Sequence, residues 1–568
     1  MGKLAIRLLR KHPLFNFASD ELQAISDASS KEAAASSKQW IIGTWSDCEL
    51  HLSANAYNSA ALKPDDWPWR KEAGNSQENG ADTYPEDAYV ILRGEDVIVL
   101  AGRSERAALY AVYAYCKEEF QIEWTYPGEG AVHVSRPAYC QGGDPVCATQ
   151  ADMSIVQTPS MRRRGFVYEN LRDEPYLLAV IDWLAKNRIN ELFMTFMLWD
   201  ELGSALAPEL VKRGITLTLG GHSMKFFMPE LMEIRQLDYS DLSWQPGVIA
   251  SVVQYCGEVP SLTRISLWPE DAAIADNEAE KKRFLSGYIR FTERIKEALS
   301  TAGIEIAVEH IAYNAGLSWD MLELLDGVEA SADSDILFAY WGRDYSQPWS
   351  SAESRTEDAR AGRALERWVE AAAEKNRNIC VFEYYSDHFM LSSLFPGLSE
   401  RIYNDLALFR QLGIDSVTNL VVPCSDTGTE YSWKWAQGYN SYLFARCAWG
   451  DSAEAALEDY WQYAPASERD FLRAAVDRVG RRLARLTRYN FPLFPARVVD
   501  VKKLTAPVME ASDICAELKE LDTEVQTILA HSRRSECIGL EPFMMYFSHL
   551  GATIEELSED WADKGERG

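Results

Sequence analysis

The stretch RRRGFVYENLRDEPYLLAVIDWLAKNRINELFMTFMLWDELGSALAPELVKRGITLTLGGHS, residues 162–223, decides the fold. It contains three short runs rich in apolar, β-branched or aromatic residues: Arg164 to Tyr168, Glu191 to Phe196 and Ile215 to Leu219. The segments between them have amphipathic helical spacing, and strand alternating with helix is the signature of a parallel sheet. The alternation continues to about Trp449, with further strands at Arg264 to Leu267, Glu305 to Val308, Ile336 to Tyr340, Ile379 to Phe382 and Ser416 to Val422. Eight such strands predict an α/β fold built on a closed (β/α)8 barrel. The rival, an open doubly wound sheet, lacks its usual support: neither a G-x-G-x-x-G turn nor a G-x-x-x-x-G-K-[ST] loop occurs.

The flanks read differently. Residues 1–145 predict a small α/β domain, with a helix opening at Phe17 to Leu22, strands at Gln39 to Gly43, Ala88 to Leu92 and Val97 to Leu100, and a helix starting at Ser104 and Glu105. The barrel domain is expected over residues 160–450. Residues 451–568 are charged and helical in spacing, at Ala453 to Tyr463, Glu468 to Tyr489 and Ala511 to Arg533, and are expected to support the barrel or to form a homodimer contact.

Bulk properties exclude several functions. With 86 acidic and 57 basic residues and a formal charge of −29, the surface should repel nucleic acid and anionic lipid. No stretch approaches the roughly 20 apolar residues of a membrane span, and the amino terminus does not read as a signal peptide. The ten cysteines, from Cys48 to Cys537, include no C-x-x-C pair, which suits buried thiols in a reducing compartment. A cytoplasmic location is the expectation. The 18 Trp and 26 Tyr are what a glycan-binding cleft needs, because flat C–H faces of sugars stack on such rings, although large cores bury them too.

In a barrel enzyme the chemistry lies just past the carboxyl ends of the strands. Here those positions carry Glu169-Asn170, Trp199-Asp200, Gly220-Gly221-His222-Ser223, Trp268-Pro269-Glu270-Asp271, Glu309-His310 with Tyr313-Asn314, Trp341-Gly342-Arg343-Asp344-Tyr345, Glu383-Tyr384-Tyr385-Ser386-Asp387-His388, and Cys424-Ser425-Asp426. Glycosidic cleavage needs one protonated carboxyl and one ionised carboxylate flanking the anomeric carbon, or an acid plus a carboxylate that orients a 2-acetamido group. Glu270-Asp271 suits the second scheme; the alternative is an acidic pair favoured by a helix amino terminus. Glu383, framed by Phe382, Tyr384 and Tyr385, is the third catalytic candidate, against a buried glutamate that braces the barrel mouth through a tyrosine or arginine. Trp268, Trp341, Tyr384 and Tyr385 are expected sugar platforms, and His222 and Asn170 candidate hydroxyl partners. Glu309 and His310 alternate along a strand, so only one of them faces inward. Arg343 suits a substrate carboxylate or a barrel glutamate. No metal motif such as H-E-x-x-H occurs, so neither metal nor cofactor is expected, and no G-x-S-x-G elbow points to serine hydrolysis.

The layout has a family resemblance. Phe17-Ala18-Ser19-Asp20-Glu21-Leu22, Asp87 to Ile91, Ile98 to Gly102 and Arg106 to Tyr113 resemble the hexosaminidase-like domain that precedes the barrel in glycoside hydrolase families 20 and 67. Gly221-His222-Ser223, Trp268 to Asp271, Phe382 to Tyr385 and Asn440 to Arg446 look closest to family 163, an endo-β-N-acetylglucosaminidase-like group. The resemblance implies a retaining glycosidase, acetamide-assisted, with its acid among Glu270, Asp271 and Glu383 and an oligosaccharide as substrate. Family 20 places Asp before Glu at strand four, whereas this chain has Glu270 before Asp271, so those roles do not transfer residue by residue. An inverting α-glucuronidase-like uronidase and a non-catalytic sugar-binding protein are the competing readings.

Overall fold

A computed structural model describes residues 4–29, 38–55, 84–133, 156–229, 237–271, 277–315, 320–349, 356–392, 394–423, 431–486, 511–534 and 541–565. The amino-terminal segment holds strands β1 (Ala5–Leu8), β2 (Gln39–Thr44), β3 (Tyr89–Arg93) and β4 (Val97–Gly102) with helices α1 (Pro13–Ala28), α2 (Trp45–Ala54) and α3 (Glu105–Phe120). The sheet order is β1-β2-β4-β3, with only β3 antiparallel. Its strands are apolar on both faces because both are covered: Trp40, Ile42, Ile98 and Leu100 join the main core, while Ile41, Val90, Leu92 and Val99 form a second cluster with Trp45, Cys48 and Leu52 of α2. Ser104 caps α3 through the amide of Ala107, and Pro13 stands in the first turn of α1, where its missing N–H costs nothing. A two-stranded ribbon, β5 (Ile122–Glu123) and β6 (Val132–His133), follows.

The barrel consists of β7 (Arg163–Tyr168), β8 (Glu191–Thr195), β9 (Thr216–Gly221), β10 (Leu262–Leu267), β11 (Ala307–Ala315), β13 (Asp335–Trp341), β14 (Ile379–Asp387) and β15 (Ser416–Val422). All neighbours pair in parallel, and the β15–β7 and β10–β11 pairings close the ring at eight strands. A short strand, β12 (Asp320–Met321), pairs with the tip of β11. Around the ring run α4 (Glu174–Lys186), α5 (Phe196–Arg213), the turn α6 (Met224–Phe227), α7 (Gln245–Glu258), α8 (Glu278–Thr301), α9 (Thr356–Glu374), the turn α10 (His388–Leu391), α11 (Ser399–Gln411) and α12 (Lys434–Trp449). Each expected strand is present, but several run further at the carboxyl end than expected, β9 to Gly221, β13 to Trp341 and, by the most residues, β11 to Ala315 and β14 to Asp387.

The amino-terminal sheet is fastened to the bottom of the barrel. Buried Asp87 accepts from Arg106 Nε at 2.7 Å, Arg164 Nη2 at 2.7 Å and Asn190 Nδ2 at 2.9 Å. Burial pushes this carboxyl up, but the two guanidiniums outweigh it and hold Asp87 below the usual range. Trp449, at the end of α12, takes Arg164 and Arg188 on its ring at 5.1 and 4.5 Å and stacks with Tyr89 at 5.6 Å.

Beyond the barrel come α13 (Ala453–Tyr460), a 3₁₀ turn (Trp461–Tyr463), α14 (Arg469–Leu486), α15 (Ala511–Arg534) and α16 (Glu541–Gly565). The last helix was not anticipated from spacing. Its Tyr546 donates to the carbonyls of Leu394 and Phe395, and its Phe543, Tyr546 and Phe547 surround Trp435 of α12. Leu14 through Ile554 thus share one contiguous core. Among the described residues no helix is long and apolar enough to cross a membrane.

Candidate active site

Strand parity sorts the residues at the barrel's carboxyl end. Along β14, Cys380 lies near Arg163 and Glu309, Phe382 meets Trp268 of the β10 end, and Tyr384 lies near Tyr313 and Glu169, so even positions point into the barrel. Glu383 and Tyr385 therefore point outward, against α11. Glu383 accepts from Arg343 Nη1 at 3.0 Å and from the Tyr345 hydroxyl at 2.7 Å. Arg343 is also held by both oxygens of Asp405 on α11, at 2.8 and 2.7 Å, and Tyr385 donates to Asp405 at 2.9 Å. Burial, with Asp405 adding to it, pushes Glu383 up to about 7 against the pull of Arg343. The structure thus places Glu383, Arg343 and Tyr385 in a closed network behind the strand, with Arg343 and Glu383 each 2 % exposed, out of reach of a ligand in the mouth.

Glu309 and His310 are also kept from the mouth. Because β11 begins at Ala307, Glu309 lies near its start, inside the lower end of the barrel. There Arg163 donates to Glu309 and Glu191 at 2.7 Å each, and Arg264 to Asp335 at 2.7 Å. His310 faces outward, between Tyr288 of α8 and Trp368 of α9. Full burial lowers its imidazole to about 4, and neither ring nitrogen finds a partner among the described residues, so it is neutral.

What remains at the mouth is coherent. Gly220 lets β9 and β10 close together, since a Cβ there would lie 2.1 Å from the carbonyl oxygen of Ser266 and 2.8 Å from Phe193. Gly221, at φ +79°, turns the chain and accepts from the amide of Trp268 at 3.0 Å. His222 follows, with Nδ1 2.5 Å from the Pro269 carbonyl and Nε2 3.3 Å from Asp271. A carbonyl only accepts, so Nδ1 carries a proton. Nε2 is the ring atom that faces Asp271. Trp268 is floor rather than platform: its indole lies between Phe193 and Phe382, each at 5.6 Å, and donates to Ser266 at 2.8 Å. Glu270 turns aside, with Lys225 at 3.4 Å, while Asp271 is half-exposed.

Three residues not chosen as candidates from the sequence complete the mouth. Glu169, one residue beyond β7, is partly open to solvent and pushed up to about 7 by desolvation, with Asp271 and Asp387 adding to the rise and His222 opposing it. Asp387, at the end of β14, accepts from the indole of Trp341 at 3.3 Å and caps the next turn through the amide of Phe389 at 2.8 Å. Glu169 continues the inward parity of Arg163 on β7, a signal that would have found it, whereas Asp387 reaches the mouth from an odd position because the β14–β15 register shifts between Glu383 and Ser386, which the spacing does not show. Tyr313, which packs on His222 at 6.1 Å, joins them. Asn170 lies exposed on the rim. The mouth thus gathers His222, Asp271, Trp341 and Tyr384 of the expected residues, with Glu169, Asp387 and Tyr313, over the floor of Trp268. A carboxyl poised near neutrality beside two further carboxylates can donate a proton while a neighbour stays ionised. Among the described residues no group of three or more His, Cys, Asp or Glu is arranged to hold a metal ion.

No protein-family model and no curated protein sequence matches the chain. Solved structures do. A family 115 4-O-methyl-α-glucuronidase with specificity for decorated arabinogalactans superimposes with a TM-score of 0.58 at 14% identity, over 98% of this chain and 72% of the other. A family 138 enzyme targeting pectin rhamnogalacturonan II gives a TM-score of 0.59 at 10% identity, over 98% and 68%. The chain therefore shares the fold of these glycoside hydrolases over nearly its whole length, from the amino-terminal sheet to the last helix.

Proposed function

We propose that the protein is a glycoside hydrolase that cleaves an oligosaccharide at the carboxyl-terminal mouth of the barrel. The observation that carries the reading is Glu169: a carboxyl lifted to about 7, in an aromatic-lined mouth, with Asp271 and Asp387 close enough to help lift it. Glu169 acts as the acid that protonates the glycosidic oxygen. Asp271, held by His222, is the ionised partner that supports the positive charge developing at the anomeric carbon. Trp341 and Tyr384 line the sugar's place, and the Arg343–Glu383–Asp405 network holds β14 behind them. The motif resemblance to family 163 favours a retaining, acetamide-assisted route with Asp271 orienting the acetamide. The likeness to the family 115 4-O-methyl-α-glucuronidase favours a second reading in which the substrate is an α-glucuronide with its uronate at His222.

Hydrolysis of a panel of aryl β-N-acetylhexosaminides, aryl α-glucuronides and reducing-end-labelled glycans by the purified chain tests both. Turnover of one class, with the anomer of the first product read by NMR, selects between them. Oligosaccharide binding without turnover of any compound would leave a sugar-binding protein instead.

A further inference from the structure

Asp387 joins the mouth to a patch that the chemistry above does not use. One of its oxygens accepts from Trp341 at the sugar's place, and the other accepts from the amide of Phe389, fixing the turn that begins with His388. That turn projects Phe389, a large apolar side chain left 45% exposed. His388 lies against Phe389, with ring centroids 4.3 Å apart, and stacks on Trp433 at 5.6 Å and 24°. Trp433, just before α12, meets His549 of the last helix at 5.8 Å. Met545, one turn before His549, is also 45% exposed. His388 packs between Phe389 and Trp433, so the exposed ring of Phe389 and the partly open Trp433 make one apolar surface beside a mouth lined by Trp341, against which a sugar ring can lie.

We propose that His388, Phe389 and Trp433 form a distal sugar subsite, so that the ligand is an oligosaccharide running from the Trp341 side of the mouth toward the last helix. The occupant is the same glycan whose scissile bond lies at the mouth, because one carboxylate, Asp387, positions both aromatic sets. This rests on the glycan reading of the mouth, but not on turnover.

Isothermal titration of the full chain with hexasaccharides of the chito-, xylo- and arabinogalactan series, and with the corresponding monosaccharides, tests it. At least one hexasaccharide should bind the wild type, and Phe389→Ala should weaken it by about 5–10-fold while leaving the monosaccharide unchanged. Trp433→Phe, which keeps a ring in place, should weaken it less than Trp433→Ala, and the circular dichroism of all variants should match the wild type. Equal hexasaccharide affinity in Phe389→Ala, equal loss for hexasaccharide and monosaccharide, or no hexasaccharide binding by the wild type overturns the subsite. Binding with the predicted loss but no product formation would instead overturn the hydrolase reading and leave the subsite standing.

Discussion

Glu169 and Glu383 are both carboxyls raised to about 7, and what separates them is the direction in which each points. Glu383 has its hydrogen bonds met by Arg343 and Tyr345, whereas Glu169 is raised by desolvation and by like charge from two carboxylates in the mouth. An acid of that kind works in its protonated form, so the rate should fall as pH rises through about 7. Asp271→Asn removes one of the charges that raise Glu169. The variant should lose turnover and, in what remains, show its alkaline limb at lower pH, measured as kcat/KM across pH 5 to 9 on the order of half-unit steps. An unshifted limb would detach the two carboxyls from each other.

At the scale of single elements, β14 carries support on one face and mouth on the other. Glu383→Ala removes the buried acceptor of the Tyr345 hydroxyl proton and of one Arg343 N–H, which should cost about 2–3 kcal/mol of stability. The checks are a lowered midpoint in thermal unfolding and a kcat within about threefold of wild type once folded, the behaviour of a brace. The same strand shows what could be read in advance. The number of barrel strands and their order were legible because a buried strand of four to eight apolar residues between amphipathic helices has few other readings. The depth of a residue was not. Val308 and Phe382 look like strand ends because polar residues follow them, yet β11 and β14 run on through Glu309 and Glu383, since Arg163 inside the barrel answers the first and Arg343 behind the strand the second. Glu309 consequently falls at the lower end with Arg163, and Glu383 falls on the outer face by parity. His222 and Asp271 were legible, because a paired glycine and a Trp-Pro turn mark true strand ends.

Over the whole molecule, the barrel depends on its flanks. Asp87 answers two arginines, one from the amino-terminal segment and one from the first barrel strand, and α12 is buried along its whole length between the barrel and the later helices. Asp87→Ala should therefore cost about 3–5 kcal/mol, because it strands two buried guanidiniums, and a single cooperative transition should move to lower denaturant. A split into two transitions would mean that the segments fold separately. The charge of −29 belongs to this scale as well: it leaves a neutral or weakly charged glycan a better partner than a polyanion.

The central claim, that Glu169 is the proton donor, is tested most directly by Glu169→Gln assayed on two substrates that share a glycone, one with a sugar leaving group and one with a dinitrophenyl leaving group. A sugar alkoxide needs the proton and a dinitrophenolate does not. The account predicts a loss of about 100-fold or more in kcat/KM on the first and a far smaller loss on the second. Equal losses on both substrates, or full activity on the sugar leaving group, would contradict it.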